Sequence, residues 1–197
     1  MQMKTGRTAR AVLVKPRIYE SDEHEDLTGR IKEGLKQLGL RLQKDESARL
    51  VLWVVENQLA VSQRPLRNHP KWTYKTPPRK AGPDVKGWVT RIIYEEKIQS
   101  IICLLQKKEL KNKYGHLDLH PQGLLGYYES QGLKYKLHEM VDNLETPFLE
   151  SAREAAQLFS KLELPVLVHC AAGADRTPPV AALIALRCLR GGGRLLV

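Results

Sequence analysis

At 197 residues, with 42% hydrophobic and 27% charged side chains, the chain can bury one core and is too apolar for a disordered tail. Its longest apolar runs, residues 50–55 and 164–172, fall far short of the roughly 20 residues that span a bilayer, which excludes a transmembrane helix. Lys and Arg outnumber Asp and Glu by 32 to 22, and the formal charge of +10 attracts anions of many kinds. Phosphorylated substrates, nucleic acid and acidic lipid stay open on charge alone. With basic residues spread along the chain and only 6% aromatics, no stacking platform supports nucleic acid.

Three cysteines, Cys103, Cys170 and Cys188, show no CxxC spacing, so neither a disulfide framework nor a thiolate zinc site is expected. No secretory signal opens the chain. Residues 1–19 are basic and acid-free like an organelle transit peptide, but residues 10–15 read more simply as a strand, and a cytoplasmic protein is expected.

In chain order, residues 1–48 read as a small N-terminal α/β extension, separate from the rest of the chain. A strand near residues 11–14 precedes an amphipathic helix with Leu27, Ile31, Leu35 and Leu38 on one face, opened near Asp22 and Glu25 and ended by Gly39. Residues 50–55 and 59–62 make a hairpin-like pair of strands. Residues 64–83, basic and carrying Pro65, Pro70, Pro77, Pro78 and Pro83, read as a long surface loop. Helix and strand then alternate. Val85, Trp88, Val89, Ile92 and Ile93 form a helical stripe; residues 100–105 are a buried strand; Leu124, Leu125 and Tyr128 mark a short helix; residues 133–140 alternate as a half-buried strand. Thr146 and Pro147 open a helix with Phe148, Ala152, Ala155, Ala156 and Phe159 inside. Residues 164–168 are the last strand and 178–189 the last helix, closed by Gly191, Gly192 and Gly193. This alternation predicts an α/β fold, a largely parallel central sheet with helices on both faces, over residues 49–197.

Between that last strand and helix lies His169-Cys-Ala-Ala-Gly-Ala-Asp-Arg-Thr177, a Cys-x5-Arg segment at the edge where α/β sheets place their ligands. Ala171, Ala172, Gly173, Ala174 and Asp175 can wrap so that their N–H groups face inward as an anion nest, with Gly173 supplying the backbone freedom. Arg176 closes the ring with a guanidinium fork matched to two phosphoryl oxygens. The same cradle stabilises Cys170 as a nucleophilic thiolate. Thr177 can hydrogen-bond the departing sulfur, and His169 supports the loop. Asp175, inside the loop, suits orienting the loop or a water rather than first proton donation.

The segment resembles the phosphate-binding loop of the cysteine-based protein tyrosine phosphatases, most closely the atypical dual-specificity branch. The resemblance runs from about Trp53 to Leu189: residues 53–65 look like the family's entry hairpin and residues 98–105 like its helix-to-strand junction. It implies attack of Cys170 on phosphorus, a cysteinyl-phosphate intermediate and hydrolysis by water, with no metal and no cofactor. It also implies an aspartate donor from the loop after the strand preceding the long helix. Asp142 holds that place, with Glu139, Glu145 and Asp118 as substitutes. Pro178 and Pro179 stand where the family usually has Gly, residues 1–48 have no recognised counterpart, and with 27 residues after Cys170 the chain reads as C-terminally short.

The leading expectation is a phosphatase acting on phosphorylated protein, phosphotyrosine first, with phosphoserine and phosphothreonine or another phosphomonoester as further substrates. An RNA 5′-phosphatase or phosphoinositide phosphatase is favoured by the +10 charge but not by Ala171, Ala172 and Ala174, which add no cation to the loop. A weakly active phosphate-binding module is the reading from another class.

Overall fold

The computed structural model describes residues 19–72, 76–119, 123–141 and 148–197. Helix α1 (Asp22–Leu42) leads into the hairpin β1 (Leu52–Val55) and β2 (Leu59–Gln63). A 3₁₀ turn (Arg79–Ala81) then opens α2 (Gly82–Tyr94), followed by β3 (Ser100–Cys103), α3 (Lys107–Tyr114), α4 (Gly123–Ser130) and β4 (Lys134–Leu137). The chain finishes with α5 (Phe148–Gln157), a 3₁₀ turn (Leu158–Lys161), β5 (Val166–Cys170) and α6 (Thr177–Arg190).

The strands form one sheet in the order β1-β2-β5-β3-β4, antiparallel only between β1 and β2. Strand β5 is central and parallel to both neighbours, with Gln63 opposite Cys170 on one side and Cys103 opposite His169 on the other. Three parallel strands therefore end at one edge. Alternation along β5 divides the core. Val166, Val168 and Cys170 face a layer built from α1, α5 and α6, while Leu167 faces a layer with Val85, Trp88, Val89 and Ile92 of α2, Tyr114 of α3 and Tyr128 of α4. The expected mostly parallel α/β sheet with helices on both faces is what the protein has. Among the described residues, no helix is long and apolar enough to cross a membrane.

The described part of residues 1–48 does not form a separate unit. Leu27, Ile31, Leu35 and Leu38 are buried in the same core as α5, α6 and the hairpin, and the buried His24 ring places Nε2 2.9 Å from the carbonyl of Pro179 in α6. The apolar stripe is legible in sequence; its partner is not, because an amphipathic face does not specify which apolar surface covers it. The cap is Ser21, whose Oγ accepts from the N–H of His24, rather than Asp22. Gly39 does not stop the helix. It is buried, and a Cβ there would lie 2.6 Å from the side-chain amide of Asn68 and 2.7 Å from that of Gln63, so both amides would have to move to admit a side chain. The strand expected near Ala11 and the Thr146-Pro147 helix start lie outside the described residues.

Helix α3 has no counterpart in the sequence pattern. Its residues are mostly polar and Tyr114 alone is buried, leaving little apolar periodicity to read. The described residues of the stretch 64–83 are less exposed than a surface loop, since Arg64, Leu66 and Ala81 are buried. After α6, Leu195 bridges antiparallel to Val55 and the Leu196 N–H donates to the Val54 carbonyl at 3.0 Å, so the last residues pair with the outer edge of β1.

If α1 belongs to this core, Ile31→Ala should lower global stability by about 3 kcal/mol, as for other fully buried Ile or Leu truncations. Urea unfolding followed by Trp53 and Trp88 fluorescence would show one transition with a lower midpoint. An unchanged midpoint would mean that the helix unfolds independently.

Candidate active site

The Cys-x5-Arg segment lies at the C-terminal edge of the central strand, with Cys170 the last residue of β5 and Thr177 the first of α6. Gly173 is required there twice over. Its φ is +72°, and a Cβ would come within 3.2 Å of both Gln63 and Leu35. In this conformation its N–H donates to Cys170 Sγ at 3.3 Å. A backbone dipole thus points at the sulfur. The Arg64 N–H, just after β2, donates to the Ala171 carbonyl of the loop at 3.3 Å, and Gln63 Nε2 donates to the Leu35 carbonyl at 3.0 Å, which ties β2 to α1.

Pro178 and Pro179 do not disturb the helix start, because first-turn N–H groups have no intrahelical acceptor. Their consequence is electrostatic. Two of the N–H groups that a helix N-terminus usually offers an anion are missing, which leaves the N–H groups of the loop itself to meet one.

Arg176 is fully buried and its guanidinium grips the Glu109 carboxylate with both ends, Nη1 to Oε2 at 2.6 Å and Nη2 to Oε1 at 3.1 Å. Nη1 also donates to the carbonyls of Leu104 and Met140, each at 3.2 Å. Burial pushes the Glu109 carboxyl up, but the Arg176 hydrogen bonds, the Gln106 N–H and the Arg176 charge outweigh it and hold the group below the usual carboxylate range. Sequence reasoning missed Glu109. The available signal was Gln106-x-x-Glu109, which forms a reciprocal capping box at the start of α3.

His169 lies on the opposite face of the strand from Cys170. Its ring stands edge-on to Trp88 and Tyr128, with Nε2 3.3 Å from the Tyr128 hydroxyl. Burial, with help from the nearby Arg176 and Arg64 charges, lowers its pKa to about 4, so the ring is neutral at pH 7. Cys103 shares that second layer, its thiol pushed up to about 12 mainly by burial, and among the described residues all three cysteines are free. Thr177 is buried, but its Oγ1 makes no hydrogen bond to the Cys170 sulfur. Ala171, Ala172, Ala174 and Asp175 are half-buried on the rim.

Asp175 turns outward, its carboxylate 3.3 Å from Lys32 of α1. Asp142 and Glu145 lie outside the described residues. Of the other two acids, Glu139 accepts the Lys107 N–H at 2.8 Å, and this bond lowers its pKa, which suits an anchor for α3 and not a proton donor. Asp118 lies 3.9 Å from Lys86 of α2.

Residues 95–189, from the end of α2 through most of α6, match the model of the tyrosine phosphatase family. A search of curated proteins finds no match.

Replacing Glu109 by Gln keeps the size but removes the charge that faces a buried guanidinium. Breaking such a pair on one side typically costs about 3–5 kcal/mol. We expect Glu109→Gln to lower the unfolding free energy on that scale and to weaken inorganic phosphate binding at least tenfold by calorimetry. Wild-type phosphate affinity in this variant would show that Arg176 is held by its other contacts alone.

Proposed function

We propose that this protein is a cysteine-dependent phosphomonoesterase of the dual-specificity kind, acting on phosphotyrosine first and on phosphoserine and phosphothreonine as further substrates. The observation that carries the reading is the joint placement of Cys170 and Arg176. The sulfur accepts an N–H from the loop at the end of the central strand, while the guanidinium closing the same loop is pinned in one orientation by Glu109. The nucleophile and the cation that closes its loop belong to one turn.

In this mechanism the Cys170 thiolate attacks phosphorus, an S–P bond forms, and the P–O bond to the leaving group breaks. Loop N–H groups and Arg176 bear the charge that spreads over the phosphoryl oxygens. Asp142 gives its proton to the departing oxygen. Water then attacks the cysteinyl phosphate, giving a proton back to Asp142 and releasing phosphate and the thiolate. Two points support Asp142. Met140, two residues before it in sequence, has its carbonyl on Arg176, and the alternative acid Glu139 is committed to the start of α3. Thr177 Oγ1, buried and without a hydrogen-bond partner among the described atoms, remains the hydroxyl that turns to the sulfur as it leaves.

Cys170→Ser should abolish turnover of a small aryl phosphate while phosphate still binds. Retention of more than about a tenth of wild-type activity, against losses of 10²-fold or more usual for essential groups, overturns the assignment. Asp142→Ala should lower kcat by roughly 10²-fold for an alkyl phosphate, general acid catalysis being worth about 10² to 10⁴, and by much less for an aryl phosphate with a low-pKa leaving group. Equal losses on both would assign the proton to another group.

A further inference from the structure

We infer that the cavity between α1 and the phosphate loop is a second anion site, which takes a further phosphate of a compact, multiply phosphorylated substrate. This rests on the phosphatase reading and adds the substrate class. The cavity, about 310 Å³, is bounded on one side by Ala172, Gly173 and Ala174 of the loop and on the other by Lys32, Lys36 and Arg67; no acidic side chain lines it. The loop carries no cation of its own besides Arg176, so a second phosphate must be held from outside it. Helix α1 and the turn after β2 supply the charges.

Arg67 is held in place at a conformational cost. Its N–H closes a turn onto the Arg64 carbonyl at 3.1 Å, and Leu66, the residue before it, sits at φ 61°, a left-handed conformation that favours Gly or Asn. Leu66 tolerates it because its side chain is buried in the core. Strain retained this close to a candidate site points to a use for the residue it positions. Arg67 makes no ion pair with an acidic side chain among the described residues. Lys32 and Lys36 pair only with the half-exposed Asp175 and Glu33, at 3.3 and 3.4 Å, contacts that a doubly charged ligand can displace.

The surrounding field agrees. Burial first, and then the charges of Arg64, Arg67 and Arg176, lower the pKa of Lys113 on α3 against the opposing charge of Glu109, in keeping with positive charge gathered at this edge of the sheet. The ligand must be compact because the cavity shares residues 172–174 with the cradle wall, a stretch reaching about 7 Å at 3.8 Å per residue. Two phosphates on one small scaffold fit that spacing.

The test is calorimetric binding of fructose 1,6-bisphosphate and fructose 6-phosphate to the full chain carrying Cys170→Ser, in low salt. The bisphosphate should bind at least tenfold tighter. Combining Lys36→Ala with Arg67→Ala should bring the two ligands within threefold, whereas Lys36→Arg with Arg67→Lys should keep the preference, and raising salt should erode it. A bisphosphate preference below threefold, or one that survives the double Ala substitution, overturns the second site. Turnover of an aryl monophosphate by the unsubstituted chain reports on the phosphatase reading separately. Turnover without the preference removes only the second site; no turnover and no binding of either ester removes both.

Discussion

The contact on which the site depends is the bidentate grip of Arg176 on Glu109, because the same guanidinium joins the loop to residues 104–109 and to Met140, three stretches distant in sequence. Glu109 belongs to α3 and also caps that helix through the Gln106 N–H; the same guanidinium binds the Leu104 carbonyl just after β3 and the Met140 carbonyl after β4. The helix α6 begins at the next residue. A single planar cation therefore sets the relation between the Cys170-to-Arg176 loop, the end of the neighbouring strand, a polar helix and the chain after β4. Lysine could not replace it, since one ammonium cannot span two carboxylate oxygens and two carbonyls in a plane. Such a pair is not primarily a source of stability, because desolvating both charges offsets much of their attraction. What it provides is orientation.

The second constraint is the parallel setting of β5 between β2 and β3. It brings the ends of three strands to one edge, so that Gln63 comes level with Cys170 and Cys103 with His169. Cys170 faces the α1–α6 layer and His169 the layer of Trp88 and Tyr128. One residue of alternation thus puts the two side chains in different layers and keeps the neutral imidazole away from the sulfur.

Helix α1 joins the two themes. Its apolar stripe completes the core over α6, its Leu35 lies so close to Gly173 that a Cβ there, at 3.2 Å, would force it to shift, and its lysines line the cavity beside the loop. The glycine in the loop is therefore set by a helix about 140 positions earlier as much as by the turn it makes.

The sequence by itself determined the α/β class, the hairpin, the stripes of α1, α2 and α5, and the Cys170-to-Arg176 segment between a strand and a helix. Each of these is written in local periodicity or in the spacing of unusual residue types. Local pattern also misled where it was thin: α3 has almost no buried face to read, Gly39 looked like a helix stop, and residues 1–48 looked detached. Only the tertiary structure decided that Glu109 is the partner of Arg176, that α1 packs on α6, that Glu139 is occupied by Lys107, and that Arg67 meets Lys32 and Lys36 across a cavity. The physical reason is common to all four. Side-chain periodicity records how much of an element is covered, whereas the identity of what covers it depends on contacts between residues tens to more than a hundred positions apart, to which composition and spacing are blind.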